Sequence, residues 1–207
     1  MGNRQTSDTS DTSDTSNAPN LPTEHDEPEH PWTTLSSERP YVTRWLAVRR
    51  DQVRTHTGDE ITYSCIERPD CVAVVAVTTD GEALLLRQYR YPIGGVWCWE
   101  IPMGAIEAGE EPAATVAREL LEEAGGVAAT VRYIATFYTA TGSLTQQCMV
   151  YLAEGVTLQA NAPEPTELLY VAPLPVAEAL RMARAGEITD GMSALSLLLC
   201  APYLVVR

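Results

Sequence analysis

Glu119, Glu122 and Glu123 stand three and four positions apart, just behind Arg118, in the run Ala117-Arg118-Glu119-Leu120-Leu121-Glu122-Glu123-Ala124. At about 100° per residue they share one arc of a helix, flanked by Arg118, while Ala117, Leu120, Leu121 and Ala124 take the opposite arc. Like charges at these spacings destabilise a lone helix by roughly 0.2–0.5 kcal/mol per pair, so the cluster calls for a positive partner. Carboxylates with no His or Cys beside them suit a hard divalent ion, Mg²⁺ or Mn²⁺, better than Zn²⁺. The alternative reading of the same three residues is a solvated amphipathic helix with an acidic outer face.

The elements around the cluster are marked in the chain. Pro112 fits a first helical turn, and Gly125 with Gly126 fits the stop, which bounds a helix of about four turns. Ahead of it, 104–111 (Gly-Ala-Ile-Glu-Ala-Gly-Glu-Glu) reads as a turn. The full spacing is Gly104, five residues, Glu110, seven residues, Arg118-Glu119-Leu120, one residue, Glu122-Glu123, one residue, Gly125. It resembles the Nudix box, the signature of the Nudix hydrolases. Gly126 departs from it, because the family usually carries an aliphatic residue there; the helix exit is expected to be either looser or anchored instead by Val127.

Two further stretches, Arg87-Gln88-Tyr89-Arg90-Tyr91 and Trp97-Cys98-Trp99-Glu100-Ile101-Pro102-Met103-Gly104, resemble the segment that precedes the box in the ADP-ribose pyrophosphatase branch. Strand alternation sends Arg87 and Tyr89 to one face and Gln88 and Arg90 to the other. The resemblance implies an α/β (α+β) fold, a Nudix α/β/α sandwich with a mixed sheet, preceded by an N-terminal β region. It implies Mg²⁺- or Mn²⁺-dependent hydrolysis of ADP-ribose or a related nucleoside diphosphate sugar. Glu119, Glu122, Glu123 and the backbone carbonyl of Met103 would hold metal, Arg118 would orient the glutamates, and Glu110 would support the loop or a further metal. Arg87, Arg90 and Glu100 would meet substrate or organise the site; Trp45, Trp97 or Trp99 would stack on adenine, or else serve as core or dimer contacts. A homodimer built through N-terminal strands is implied as well. In the loop 139–147 the branch carries a glutamate, often assigned as general base, where this chain has Gln146. An amide cannot take a proton from water at neutral pH, so Gln146 either orients the water or leaves the base to a box glutamate. The rival readings are a catalytically weak sensor of nucleotide sugars and a Nudix hydrolase of another nucleoside diphosphate derivative.

Composition bounds the rest. A chain of 207 residues with 45% apolar content can bury one sizeable core. A formal charge of −14 argues against a nucleic-acid surface. The five cysteines (65, 71, 98, 148, 200) form no CxxC pair, and their odd number favours reduced thiols in a cytoplasmic protein. The polar start resembles no signal peptide, and the longest apolar run, 194–206, is too short to span a bilayer.

Residues 1–35 repeat Thr-Ser-Asp and then turn Pro- and Glu-rich, with seven acidic residues against Arg4, which predicts a disordered tail. The expected division is this tail, a β region over 36–68, and a catalytic domain over 69–207. Strands are expected at 42–53 and 60–67 as a hairpin, and at 71–78, 83–91, 130–138, 148–153 and 166–171, with a loop over 154–165. Helices are expected at 175–185 and 191–200, neither with a chemical constellation.

Overall fold

The computed structural model describes residues 30–163 and 166–205; most of the acidic tail lies outside them. Strands β1 (Thr33–Val42), β2 (Ala47–Arg54) and β3 (Glu60–Glu67) form a three-stranded antiparallel sheet in that order. The expected hairpin is β2–β3, with Ala47 opposite Glu67 and Arg54 opposite Glu60. β1 was not expected, and it opens inside the stretch assigned to the tail. Its polar sequence and two register shifts hide any alternation. Polar side chains hold it instead: Ser37 donates to Asp51, Arg39 forks onto Glu67 at 2.6 and 2.9 Å, and Arg50 pairs with Glu38 at 2.6 Å. The 42–53 strand expected from sequence is interrupted because the Thr43 hydroxyl accepts the N–H groups of Trp45 and Leu46, turning the chain.

The second sheet has eight strands: β4 (Cys71–Thr78), β5 (Glu82–Arg90), β6 (Val96–Glu100), β7 (Met103–Ala105), β8 (Gly126–Val127), β9 (Thr130–Tyr138), β10 (Gln147–Leu158) and β11 (Leu169–Pro175). Its main order is β11-β5-β4-β10-β8, with β6 on β5, β7 on β4 and β9 on β10. Only the central β4–β10 pair is parallel. Three helices cover it, α1 (Pro112–Ala124), α2 (Val176–Arg184) and α3 (Gly191–Cys200).

The unbroken Val/Ala run of β4 follows from its place between two helical layers. Val72, Val74 and Ala76 pack with Leu84 and Leu86 against Val116, Leu120 and Ala124 of α1. Ala73 and Val75 pack on the other face with Leu180 and Ala183 of α2 and Leu197 and Cys200 of α3. The expected α/β/α sandwich with a mixed sheet is therefore what forms. Among the described residues no helix is long and apolar enough to cross a membrane, and all five cysteines are free and buried.

Three local expectations are corrected. β10 continues to Leu158, past the point where a loop was expected, because Gly155 takes φ of 65° in a register shift and lets the strand go on to pair with β8. β11 starts at Leu169 rather than 166 and runs on through Pro175 opposite Glu82. β6 and β7 are strands because Trp99 pairs with Arg87 and Met103 with Ala73.

Candidate active site

Helix α1 is the element that places charge. Pro112 occupies its first turn, and Gly125 closes it with φ of 65° while donating its N–H to Leu121 at 2.9 Å. The end of the helix is strapped by the chain leaving β10. Gln159 N–H donates to the Gly125 carbonyl at 2.7 Å, Asn161 Nδ2 to the Glu123 carbonyl at 3.0 Å, and Ala162 N–H to the Glu122 carbonyl at 3.0 Å.

The helix faces inward differently from the expectation. Ala117 and Leu121 are exposed, whereas Glu119 and Glu123 are buried at 9% and 3% exposure. Glu122 stays at the rim. Val116 and Leu120 dock the helix; full burial of two such side chains stabilises by about 3–6 kcal/mol, enough to hold two inward carboxylates in place.

Those carboxylates meet the turn between β7 and α1. Glu123 Oε2 accepts the Met103 N–H at 2.9 Å. Burial, more than any neighbour, pushes the Glu123 carboxyl well above the usual range and raises Glu119 as well. Glu119 lies directly on Gly104, where a Cβ would come within 1.7 Å of its Oε1. Arg118 links the parts: Nη1 donates to Glu119 Oε1 at 2.6 Å and Glu122 Oε2 at 3.3 Å, Nη2 to the Ala105 carbonyl at 3.0 Å, and Nε to Glu110 Oε1 at 3.1 Å.

Through its hydrogen bonds Arg118 holds the Glu110 carboxyl down to about 2. A depressed carboxylate contributes stability that is complete above its ordinary value and is lost as pH falls through the folded one. The turn is therefore expected to stay clamped as pH drops through 4.5 and to release only near 2. Carbon-detected NMR of the Glu110 carboxyl should show that midpoint; ordinary titration near 4.5 would contradict it.

A cavity of about 540 Å³ adjoins this turn. Met103, Gly104 and Glu123 form part of its wall, and Arg68, Arg90, Glu100, Gln146, Glu167, Thr189 and Asp190 add polar groups to its lining. Arg90 forks onto buried Glu100 at 2.7 and 2.5 Å. Arg68 reaches the cavity with no carboxylate partner among the described residues, and it also lines a second cavity of about 410 Å³ with Tyr138, Gln146 and Asp190. Asp190 caps α3, its Oδ2 accepting from Ser193 N–H at 2.8 Å and Ser193 Oγ at 2.7 Å. Ser193 Oγ accepts in turn from Ile101 N–H at 3.1 Å, which ties α3 to the strand link that leads into Met103.

Among the described residues no set of three or more His, Cys, Asp or Glu groups already stands at ligand spacing. The reason is visible in the partners above: Arg118 now neutralises Glu119 and Glu122, and Met103 N–H binds Glu123. The donor chemistry still fits a hard divalent cation. Two buried carboxylates carry a charge that their burial disfavours, and a glycine leaves the room one of them fills.

The model of the NUDIX domain matches residues 67–192, and that of the nucleoside diphosphate sugar hydrolase N-terminal domain matches residues 32–64. The chain belongs to the Nudix family. It is 36% identical over 169 residues to the ADP-ribose pyrophosphatase of Mycobacterium tuberculosis, covering 80% of this chain and 81% of that one. It is 30% identical over 163 residues to the ADP-ribose pyrophosphatase of Bacillus subtilis, covering 78% and 88%. A crystal structure described as an ADP compounds hydrolase superposes with a TM-score of 0.75 over 86% of this chain and 96% of that chain; at 19% identity this speaks to the fold alone.

Against the Nudix pattern the two departures now have a physical account. A Cβ on Gly126 would lie 2.8 Å from Leu120 Cδ1 and 2.9 Å from Val156 Cγ1, so those side chains fill the place of the usual aliphatic residue. Val127, the expected anchor, is 48% exposed, and the helix exit is held by β8 pairing with Thr157 and Leu158. Gly126→Val is thus expected to destabilise the Nudix domain by about 1–3 kcal/mol through overpacking, read as a lower urea midpoint. Unchanged stability would contradict that packing. Gln146 is buried, its Nε2 donating to the Pro69 carbonyl at 2.7 Å and its Oε1 accepting from Thr139 Oγ1 at 3.4 Å, so the amide is anchored to the scaffold.

Arg87 is not brought to the cavity: it lies over the Trp99 ring, 5.0 Å from the centroid, on the face of β5 away from Arg90. Trp97 stacks on Tyr170 at 5.4 Å, Trp45 lies under Arg44, and none of the three tryptophans proposed for adenine lines either cavity. Arg68, Glu167 and Asp190 were missed. Arg68 carried one usable signal, a lone arginine before Pro69 at the entry to a buried strand.

Proposed function

We propose that the chain is a Nudix pyrophosphohydrolase that cleaves the diphosphate of ADP-ribose or a related nucleoside diphosphate sugar, releasing a nucleoside monophosphate and a sugar phosphate. The observation that carries this reading is the buried Glu123 on the Met103 N–H at the wall of a cavity that also presents Arg68 and Arg90, with the buried Glu119 packed behind it against Gly104. The relatives described as ADP-ribose pyrophosphatases supply the substrate class.

Glu119, Glu122 and Glu123, with the Met103 carbonyl, would hold Mg²⁺ or Mn²⁺. When bound, the ion supplies charge neutralisation at the diphosphate. Arg118 keeps the glutamates oriented, and Glu110 keeps Arg118 in place. Arg90, steadied by Glu100, and Arg68 receive phosphate oxygens. The second cavity accommodates one arm of the substrate beyond the diphosphate. Free, buried cysteines support a reducing, cytoplasmic setting. The exposure of β1 along its whole length, together with that of Trp32, Tyr41 and Trp45, supports a homodimer through the N-terminal sheet. The acidic charge supports neither a nucleic-acid nor a membrane partner.

The test is AMP release from ADP-ribose with Mg²⁺, and its loss with EDTA. The anchored amide of Gln146 favours a second reading, a nucleotide-sugar sensor. Measurable ADP-ribose binding with no product over hours would decide for the sensor.

A further inference from the structure

We propose that Cys71 and Cys148 form a modification site, a dithiol at the cavity wall that a hydroperoxide closes to a disulfide; its effect on turnover rests on the hydrolytic reading above. The two residues stand directly opposite each other at the start of the parallel pair β4 and β10. Cys71 shares a face with Ala73 and Val75, and Cys148 with Val150 and Leu152, so both thiols point to the side that α2 and α3 cover. Neighbouring strands run about 4.8 Å apart, inside the roughly 4.4–6.8 Å between Cα atoms that a disulfide spans. Two further ties hold the pair in register: Gln146 Nε2 donates to the Pro69 carbonyl at 2.7 Å, and the Gln147 N–H donates to Asp70 Oδ1 at 2.8 Å.

Access and reactivity single out this pair. Cys71 lines the main cavity, whereas Cys148 lies fully buried beside it. The hydrogen-bonded Cys148 thiol, and after it the positive charge of Arg68, hold Cys71 below the usual thiol range, while the same contact and burial push Cys148 up. Cys71 is therefore the thiol that meets an oxidant, and Cys148 the one that resolves it. Cys98 lines the same cavity, but it stands opposite Gln88, and Thr189 Oγ1 donates to its sulfur at 3.9 Å. Burial pushes Cys200 up to about 12, and Cys65 lies in the other sheet.

In the step, the Cys71 sulfur attacks one oxygen of the hydroperoxide. The O–O bond breaks with its electron pair on the other oxygen, which takes up the thiol proton and departs as water or an alcohol. Cys71 is thereby oxidised by two electrons to a sulfenic acid. The Cys148 sulfur then attacks the Cys71 sulfur, the S–O bond breaks, and hydroxide leaves with the Cys148 proton as water. The commonest disulfide spacing, about 5.5–6 Å, is wider than that of paired strands, so closure parts the starts of β4 and β10 by about 1 Å. Val72 and Ala73, next to Cys71, pair with Gly104 and Met103, and Gln146 stands two residues before Cys148. The opening therefore falls between the turn that meets Glu119 and Glu123 and the loop that brings Gln146.

The experiment treats the full chain with hydrogen peroxide, blocks remaining thiols with N-ethylmaleimide under denaturing conditions and maps the peptides by mass spectrometry. Expected is a peptide pair joined through Cys71 and Cys148 in wild type and in Cys98→Ala, and a dimedone-trapped sulfenic acid on Cys71 in Cys148→Ala. Turnover of ADP-ribose with Mg²⁺ should fall by about 10²-fold as the link forms and return with dithiothreitol. Should Cys148→Ala fail to fold, the wild-type map alone decides. Thiols at 71 and 148 that are both still free after peroxide overturn the proposal. So does a link from Cys71 to Cys98, or a link between Cys71 and Cys148 that leaves turnover unchanged. A reduced wild type without turnover removes the hydrolytic reading, while the mapped peptides still decide for or against the site.

Discussion

Glu123→Gln is expected to lower turnover of ADP-ribose by on the order of 10²–10³-fold while leaving the metal-free protein at least as stable as wild type. The two effects come from one fact. Glu123 is 3% exposed, and its burial opposes the ionised form. A glutamine fills the same volume and keeps an oxygen for the Met103 N–H, so the metal-free fold loses only a charge it holds at a disadvantage. The same charge is what a divalent ion would bind. Added Mg²⁺ or Mn²⁺ should therefore raise the melting temperature of wild type by mass action and leave that of the variant where it was. Equal metal-induced shifts in the two proteins would show that Glu123 holds no ion.

Gly104→Ala should reduce kcat/KM by about 10²-fold without unfolding the chain, since displacing a reacting group by about 1 Å has an effect of that size. The new methyl would stand 1.7 Å from Glu119 Oε1 and 2.0 Å from its Cδ. What it strikes is the far end of a flexible side chain, so Glu119 moves and the backbone need not. A melting temperature within a few degrees of wild type, with activity lost, is the expected signature. Collapse of both would mean that the turn itself cannot hold a side chain, and retention of both would mean that Glu119 has no fixed place in the reaction.

The sequence made some elements legible because their signals are local. Pro112 and Gly125 mark the ends of α1, and β4, β9 and α3 begin and end where composition places them. How much of α1 turns inward was only half legible. The rule that apolar residues face the core finds Leu120 and Ala124, which are buried, but not Glu119 and Glu123, which are buried beside them while Ala117 and Leu121 of the apolar arc stay exposed. β1, β6 and β7 escaped because partners from other parts of the chain define them, as Trp99 with Arg87 does. The tie between Gln146 and Pro69 spans 77 positions, and no local pattern announces such a contact. Of the cavity-lining residues, Arg90, Glu100 and Met103 were singled out through resemblance to the segment before the Nudix box, whereas Arg68, Asp190 and Glu167 reach the cavity only through topology.

The strap formed by the chain leaving β10 also limits how this protein could diverge. Three successive attachments, from Gln159, Asn161 and Ala162, measure out the distance from the sheet to the last carbonyls of α1. An extra residue within 159–162 would shift that measure, rotate the helix terminus and carry Glu122 and Glu123 with it, far from any change in the box itself. Length variation among descendants should accordingly spare this short connector, and an engineered graft placed there would detune the groove even with every acidic residue intact.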